Sequence, residues 1–147
     1  MVALALPCLP QINTNLATAS VVAPVAIKRG AQAQGKVHVR LLPGYHMNSN
    51  KPLDEYLIPL RLTWTATAPL EAVRTEYPAG KMEKYEFSEK PLSVITGDFD
   101  LTTEFRAPAA TPVGAQIVTG KLRYQACDTK ACYPPRTIEV KLTVDVQ

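Results

Sequence analysis

The chain has 147 residues, 46% of them hydrophobic and 20% charged, which suits one domain around a single core. Its formal net charge is +3 and the basic residues are scattered, which argues against nucleic acid as a partner. No apolar run approaches the ~20 residues of a membrane helix, and thirteen prolines favour strands and loops.

Residues 1–20 read as a leader or linker, with the folded domain expected over 21–147. Val2 to Leu9 is a short apolar run without the basic stretch of a secretory signal, as in a signal remnant. Cys8 lies in it behind Ala5-Leu6-Pro7, a poor lipoprotein processing site, so the expectation is a dispensable cysteine in a disordered segment.

From Val21 the pattern is that of strands. Val21 to Arg29 is a first strand interrupted by Pro24, and Gly35 to Leu42 alternates, with Val37, Val39 and Leu41 inward and His38 and Arg40 outward. Pro43 to Pro52 is a loop. Leu60, Leu62, Trp64 and Ala66 share one face of the next strand, which makes Trp64 a core anchor. Leu70 to Tyr77 and Lys81 to Phe87 follow across a Pro78-Ala79-Gly80 turn, then Leu92 to Thr96, Leu101 to Arg106 and a proline-rich loop over Ala107 to Gly114. The last two strands, Gln116 to Gln125 and Thr137 to Val146, flank Cys127 and Cys132, and the second alternates throughout. Eight or nine strands with turn signals between them, and no helical period of useful length, predict an antiparallel β-sandwich.

Between those strands, Cys127-Asp128-Thr129-Lys130-Ala131-Cys132 reads as the tip of a β-hairpin, with the thiols opposite each other. Facing residues in an antiparallel pair have Cα atoms roughly 4.5–5.5 Å apart, within the span a disulfide requires. Closing so short a loop contributes only about 2 kcal/mol, against nearly 5 for a loop of about a hundred residues, so the bond is poorly placed as a staple. Lys130 favours a thiolate and Asp128 opposes it, leaving a thiol that both attacks and leaves. Three uses stay open on the residues alone. They are redox exchange, a local structural disulfide in a binding or adhesion module, and a copper or zinc site drawing on Cys127, Cys132, His46 and Met47.

Tyr124-Gln125-Ala126-Cys127 and Cys132-Tyr133-Pro134-Pro135 resemble the active-site hairpin of the amino-terminal domains of DsbD thiol:disulfide interchange proteins. Pro43-Gly44-Tyr45-His46-Met47-Asn48-Ser49-Asn50-Lys51-Pro52 is similar to a second segment of that family, and the resemblance runs from about Val21 onward. It implies an immunoglobulin-like sandwich with extra strands, in an extracytoplasmic, periplasmic setting. It also implies a redox-active disulfide that needs no metal or organic cofactor. Cys132 would form the intermolecular bond and Cys127 would resolve it. The implied partners are a thioredoxin-like electron donor, oxidised thioredoxin-fold acceptors and a membrane-embedded DsbD-type domain.

Supporting residues follow from the same resemblance. The Gly44 to Asn48 segment would lie beside the cysteines, with Tyr45 kept and His46 and Asn48 standing where the family carries a tyrosine pair. A neutral imidazole at His46 suits a thiol, either accepting its proton or stabilising the thiolate; a loop histidine that only hydrogen-bonds locally is the alternative. Glu86-Phe87 matches the acidic-aromatic pair of a loop that caps the disulfide; a strand-end core aromatic is the alternative for Phe87. Tyr133, Pro134 and Pro135 hold an extended edge open, because proline removes backbone donors. The loop between the cysteines is one residue shorter than in the best-known relative and lacks an aromatic before the second cysteine.

Overall fold

The computed structural model describes residues 15–147. The greater part of the expected leader, with Cys8, lies outside the described residues. Twelve strands form three four-stranded sheets. The first contains β1 (Ala17–Val21), β3 (Ala31–Leu41), β9 (Phe99–Ala107) and β6 (Glu71–Glu76), in the order β1-β3-β9-β6. The second contains β2 (Val25–Ile27), β12 (Arg136–Val146), β10 (Gly114–Tyr124) and β5 (Arg61–Thr65), in the order β2-β12-β10-β5. The third, smaller sheet is β11 (Ala126–Cys127), β4 (His46–Asn48), β8 (Leu92–Ile95) and β7 (Lys81–Glu83), in that order.

The first two sheets close on a shared core. Val37, Val39, Leu41 and Leu101 from one meet Leu62, Leu122 and Val140 from the other, while Val25, Phe105, Val118, Leu142 and Val144 fill a second cluster. This is the immunoglobulin-like sandwich, and the alternation read in β3 and β12 is the alternation of its buried faces. Trp64 lies against both clusters, edge-on to Phe105 at 5.5 Å, and donates its indole N–H to the buried Thr103 hydroxyl at 2.8 Å. Its register partner on β10 is Gly120, where an added Cβ would stand 2.7 Å from the ring. Only glycine lets the indole cross the strand there.

Several elements differ from the sequence expectation. The single strand expected from Val21 to Arg29 is two strands in different sheets: β1 is antiparallel to β3, and β2 runs parallel to β12. The break falls at Pro24, which has no N–H to give to a ladder. Ordered structure also begins before the expected boundary at Val21, since Leu16 and Ala17 are already buried. The strand expected over Lys81 to Phe87 ends at Glu83 and gives way to a loop. The segment expected as a loop from Pro43 contains β4, which carries the main core into the third sheet through Met47.

Candidate functional site

The site forms where β10 stops. Over eleven residues β10 pairs with β12, from Gly114 opposite Val146 to Tyr124 opposite Arg136. At Gln125 the chain leaves that sheet, and β11 joins β4 instead, placing Ala126 opposite Met47 and Cys127 opposite His46. On the other side of Cys127 lies Cys132, antiparallel and disulfide-bonded, with a Cα–Cα distance of 3.9 Å. The flanking hydrogen bonds, Asp128 N–H to the Ala131 carbonyl and Tyr133 N–H to the Ala126 carbonyl, both 2.9 Å, make the cysteines a non-hydrogen-bonded pair. That is the closer of the two antiparallel pairings, the one in which side chains meet.

The sulfurs are not equivalent. Cys127 is 0% exposed, whereas Cys132 is half-buried and reaches the surface. The tip between them is held by polar bonds. One Asp128 carboxylate oxygen accepts from the Lys130 and Ala131 N–H groups at 2.8 Å, and the other accepts from the Tyr133 hydroxyl at 2.7 Å. The Tyr133 bond, followed by the two backbone bonds, holds the Asp128 carboxyl below its ordinary range, and the same bond raises the Tyr133 phenol. Lys130 is exposed, and its side chain forms no ion pair among the described residues. Asp128 is thus the organiser of the turn rather than a charge set against the thiols.

Gln125, which the sequence reading did not single out, ties the tip to the body. Its side-chain oxygen accepts from Asn48 Nδ2 at 3.1 Å and from the Ile58 N–H at 3.2 Å, and its amide donates to the Tyr133 carbonyl at 3.3 Å. Asn48 therefore acts through this clamp, and it also donates to the Ile58 carbonyl at 3.0 Å. The signal in the sequence was a glutamine two residues before a cysteine, which looks like any strand-end residue until its partners are known. Tyr124 lies in the main core, where burial raises its phenol and the Ala17 backbone hydrogen-bonds it. It supports the hairpin from below.

On the His46 side the cover is aromatic. Pro43 and Gly44 form the turn into β4, with Gly44 at φ 85°, a conformation that favours glycine. Tyr45 packs at 6.2 Å from Tyr133, and His46 is 3% exposed, with Nε2 lacking any hydrogen-bond partner among the described residues. The imidazole lies flat against Tyr85 at 4.0 Å and parallel to Phe87 at 6.4 Å. Both aromatics come from the loop after β7, which Lys84 fastens by donating to the Tyr85 and Ser88 carbonyls. Phe87 is 37% exposed, so it is not the core aromatic of the alternative reading, while Glu86 is fully at the surface. The residue in contact with His46 is Tyr85. Its spacing two residues before Phe87 carried that signal, because such residues share a face.

Of the four residues considered for a copper or zinc site, Met47 is turned away from the other three. Met47 is buried in the main core, and the alternation of β4 turns it to the face opposite His46. Among the described residues no group of three or more His, Cys, Asp or Glu side chains is placed to hold a metal. Pro134 and Pro135 are exposed and carry the chain from Tyr133 into β12.

Comparison with known proteins agrees with the sequence resemblance. Residues 13–144 match the family described as "Thiol:disulfide interchange protein DsbD, N-terminal". The N-terminal periplasmic domain of ScsB from Proteus mirabilis has a similar fold, with a TM-score of 0.58 and 13% identity over 93% of this chain. The chain spans 49% of that solved domain. A family 123 glycoside hydrolase from Clostridium perfringens aligns at a TM-score of only 0.31, with 12% identity, over 90% of this chain and 28% of its own. No curated protein sequence matches.

Proposed function

The chain belongs to the amino-terminal domain family of the thiol:disulfide interchange protein DsbD, and from that premise we propose that it is a periplasmic thiol–disulfide exchange domain. The dithiol form passes two electrons to an oxidised thioredoxin-fold acceptor, and a thioredoxin-like or membrane-embedded DsbD-type donor restores it. Cys132 attacks the acceptor disulfide and forms a mixed disulfide. Cys127 then attacks Cys132, closes the intramolecular bond and releases the acceptor as a dithiol. The reaction uses the two sulfurs and no further cofactor.

One observation carries this reading: the two sulfurs face each other at a hairpin tip, with Cys127 sealed from solvent and Cys132 reachable. A partner thiol or disulfide meets only the outer sulfur, and the inner one resolves the adduct without competing for partners. The aromatic cover of Tyr85 and Phe87 would shield the pair from small thiols and yield to a docking protein. Tyr45, Tyr133 and the exposed prolines offer that protein an extended, partly apolar rim.

The test is the reduction potential of the pair in a Cys8→Ala variant, together with trapping by single-cysteine variants. A potential within roughly −120 to −270 mV, with a stable mixed disulfide formed by Cys127→Ser and not by Cys132→Ser, is the expected result. A potential below about −300 mV, with no exchange with a thioredoxin-like protein, would instead mark a structural disulfide in a binding module.

A further inference from the structure

Resting on the exchange reading above, we propose that His46 is the proton acceptor for Cys127 in the step that closes the disulfide. Directly opposed residues of an antiparallel pair project from the same face, with Cβ atoms roughly 4.5–5.5 Å apart. Cys127 is opposed by His46 on one side and by Cys132 on the other, so the three side chains form a row across three adjacent strand segments. The buried thiol has a histidine on the side away from the sulfur it attacks.

Two features of that row need explaining. A buried imidazole nitrogen without a partner is costly, and His46 Nε2 is one. In the disulfide form Cys127 has no hydrogen to donate to it. Reduction places an S–H donor on Cys127, on the same face. The second feature is that Cys127 is sealed, so water cannot readily take its proton, and burial in apolar surroundings raises a thiol's pKa. A base beside it answers both.

The surroundings suit a neutral base. Burial lowers the His46 pKa from its ordinary 6.5, and the carboxylates of Asp128 on the hairpin and Glu83 on β7 oppose that only in part. Tyr85, from the loop after β7, holds the ring flat, and burial and Glu83 both raise its own pKa, keeping it uncharged. The ring is thus unprotonated at neutral pH and able to accept a proton. His46 also contributes to the lining of a cleft of about 270 Å³, with Tyr45, Tyr85 and Thr129.

The step balances. In the mixed disulfide, the Cys127 S–H bond breaks and its proton moves to the unprotonated nitrogen of the His46 imidazole. The thiolate electron pair forms the Cys127–Cys132 bond as the bond from Cys132 to the acceptor breaks, and the acceptor sulfur leaves with that electron pair. It is protonated by the imidazolium or through solvent. Cys127 and Cys132 are oxidised by two electrons and the acceptor disulfide is reduced by two.

The test uses the full chain carrying Cys8→Ala, reduced and mixed with dithionitrobenzoate, whose coloured thiolate appears once when Cys132 attacks and again when Cys127 closes the bond. His46→Phe keeps a ring for Tyr85 to stack on and removes the nitrogens. A buried thiol is little ionised at pH 7, so without the acceptor the second release slows by about 10-fold or more while the first is unchanged. The gap narrows towards pH 9, where the thiol ionises unaided. Equal second phases at pH 7, or a slowing that does not change with pH, would overturn the proposal. A second measurement does not depend on the variant folding: the His46 ring titration, followed by NMR in the Cys8→Ala chain, differs between disulfide and dithiol forms, and an identical titration in both also overturns it. If the first release is absent as well, the exchange reading fails, and that outcome is distinct from a defect confined to the second.

Discussion

The long β10–β12 pair and the short tip that extends it are consecutive in sequence and are held together by different forces. In the pair, Val118, Gly120 and Leu122 face Leu142, Val140 and Ile138 in register, and alternate residues bury themselves in the sandwich. In the tip only Ala126 joins the main core. The tip is held by the Asp128 turn, the Gln125 clamp and a two-residue pairing with β4. A disulfide that opens in each cycle must not be what keeps its own loop in shape. These polar bonds do not involve the sulfurs, so reduction of the disulfide breaks none of them directly.

Four perturbations sharpen the contrast. The largest effect belongs to the body: Phe105→Ala empties a fully buried ring site and is expected to cost about 3–5 kcal/mol in chemical denaturation. The reduction potential of the cysteine pair should not change. Next comes Gln125→Ala, which leaves the Ile58 N–H and the Asn48 amide short of an acceptor and should cost about 1–3 kcal/mol. Unlike the core variant, it loosens the apposition of the cysteines, so the disulfide becomes easier to reduce and the potential rises. A potential unmoved by Gln125→Ala would mean that the clamp serves the body alone.

Reducing the Cys127–Cys132 bond comes third, at about 2 kcal/mol, because the loop it closes is short. Hydrogen exchange of the β10 and β12 amides should be nearly unchanged by reduction, and general loss of protection would show that the bond is a staple after all. The smallest effect is at Asp128. Its folded pKa is depressed below the ordinary 3.8, so the carboxylate's contribution is complete above that value and is lost as pH falls through the folded pKa. The Lys130 and Ala131 amide resonances should move together in that acid window and stop titrating in Asp128→Asn. His46 adds a milder window of the same sign, since its lowered pKa favours the folded state above 6.5 and that support fades as pH drops below it.

Much of the body was legible because period-2 burial is a local property of the chain. The alternation of Val37, Val39 and Leu41, and that of Val140, Leu142 and Val144, reads directly as two half-buried strands, and the cysteines between Gln125 and Tyr133 read as a hairpin tip. The division of Val21 to Arg29 was less legible: a proline marks an interruption, while the sheet each fragment joins depends on partners far along the chain. The same holds for the loop after β7, where Tyr85 and Phe87 alternate as strand residues would and are drawn off by His46.

The sequence by itself determined the sandwich, the opposed cysteines and the family, because each depends on a repeating pattern or a contiguous motif. Tertiary structure decided which sulfur is hidden, that Gln125 and Asn48 form a clamp, and that His46 stands opposite Cys127. Strands of two or three residues, such as β11 and β4, carry too little pattern to name their partners. Their register is set by what the folded body leaves open to them, with Met47 drawn into the core on one face of β4 and His46 set opposite Cys127 on the other.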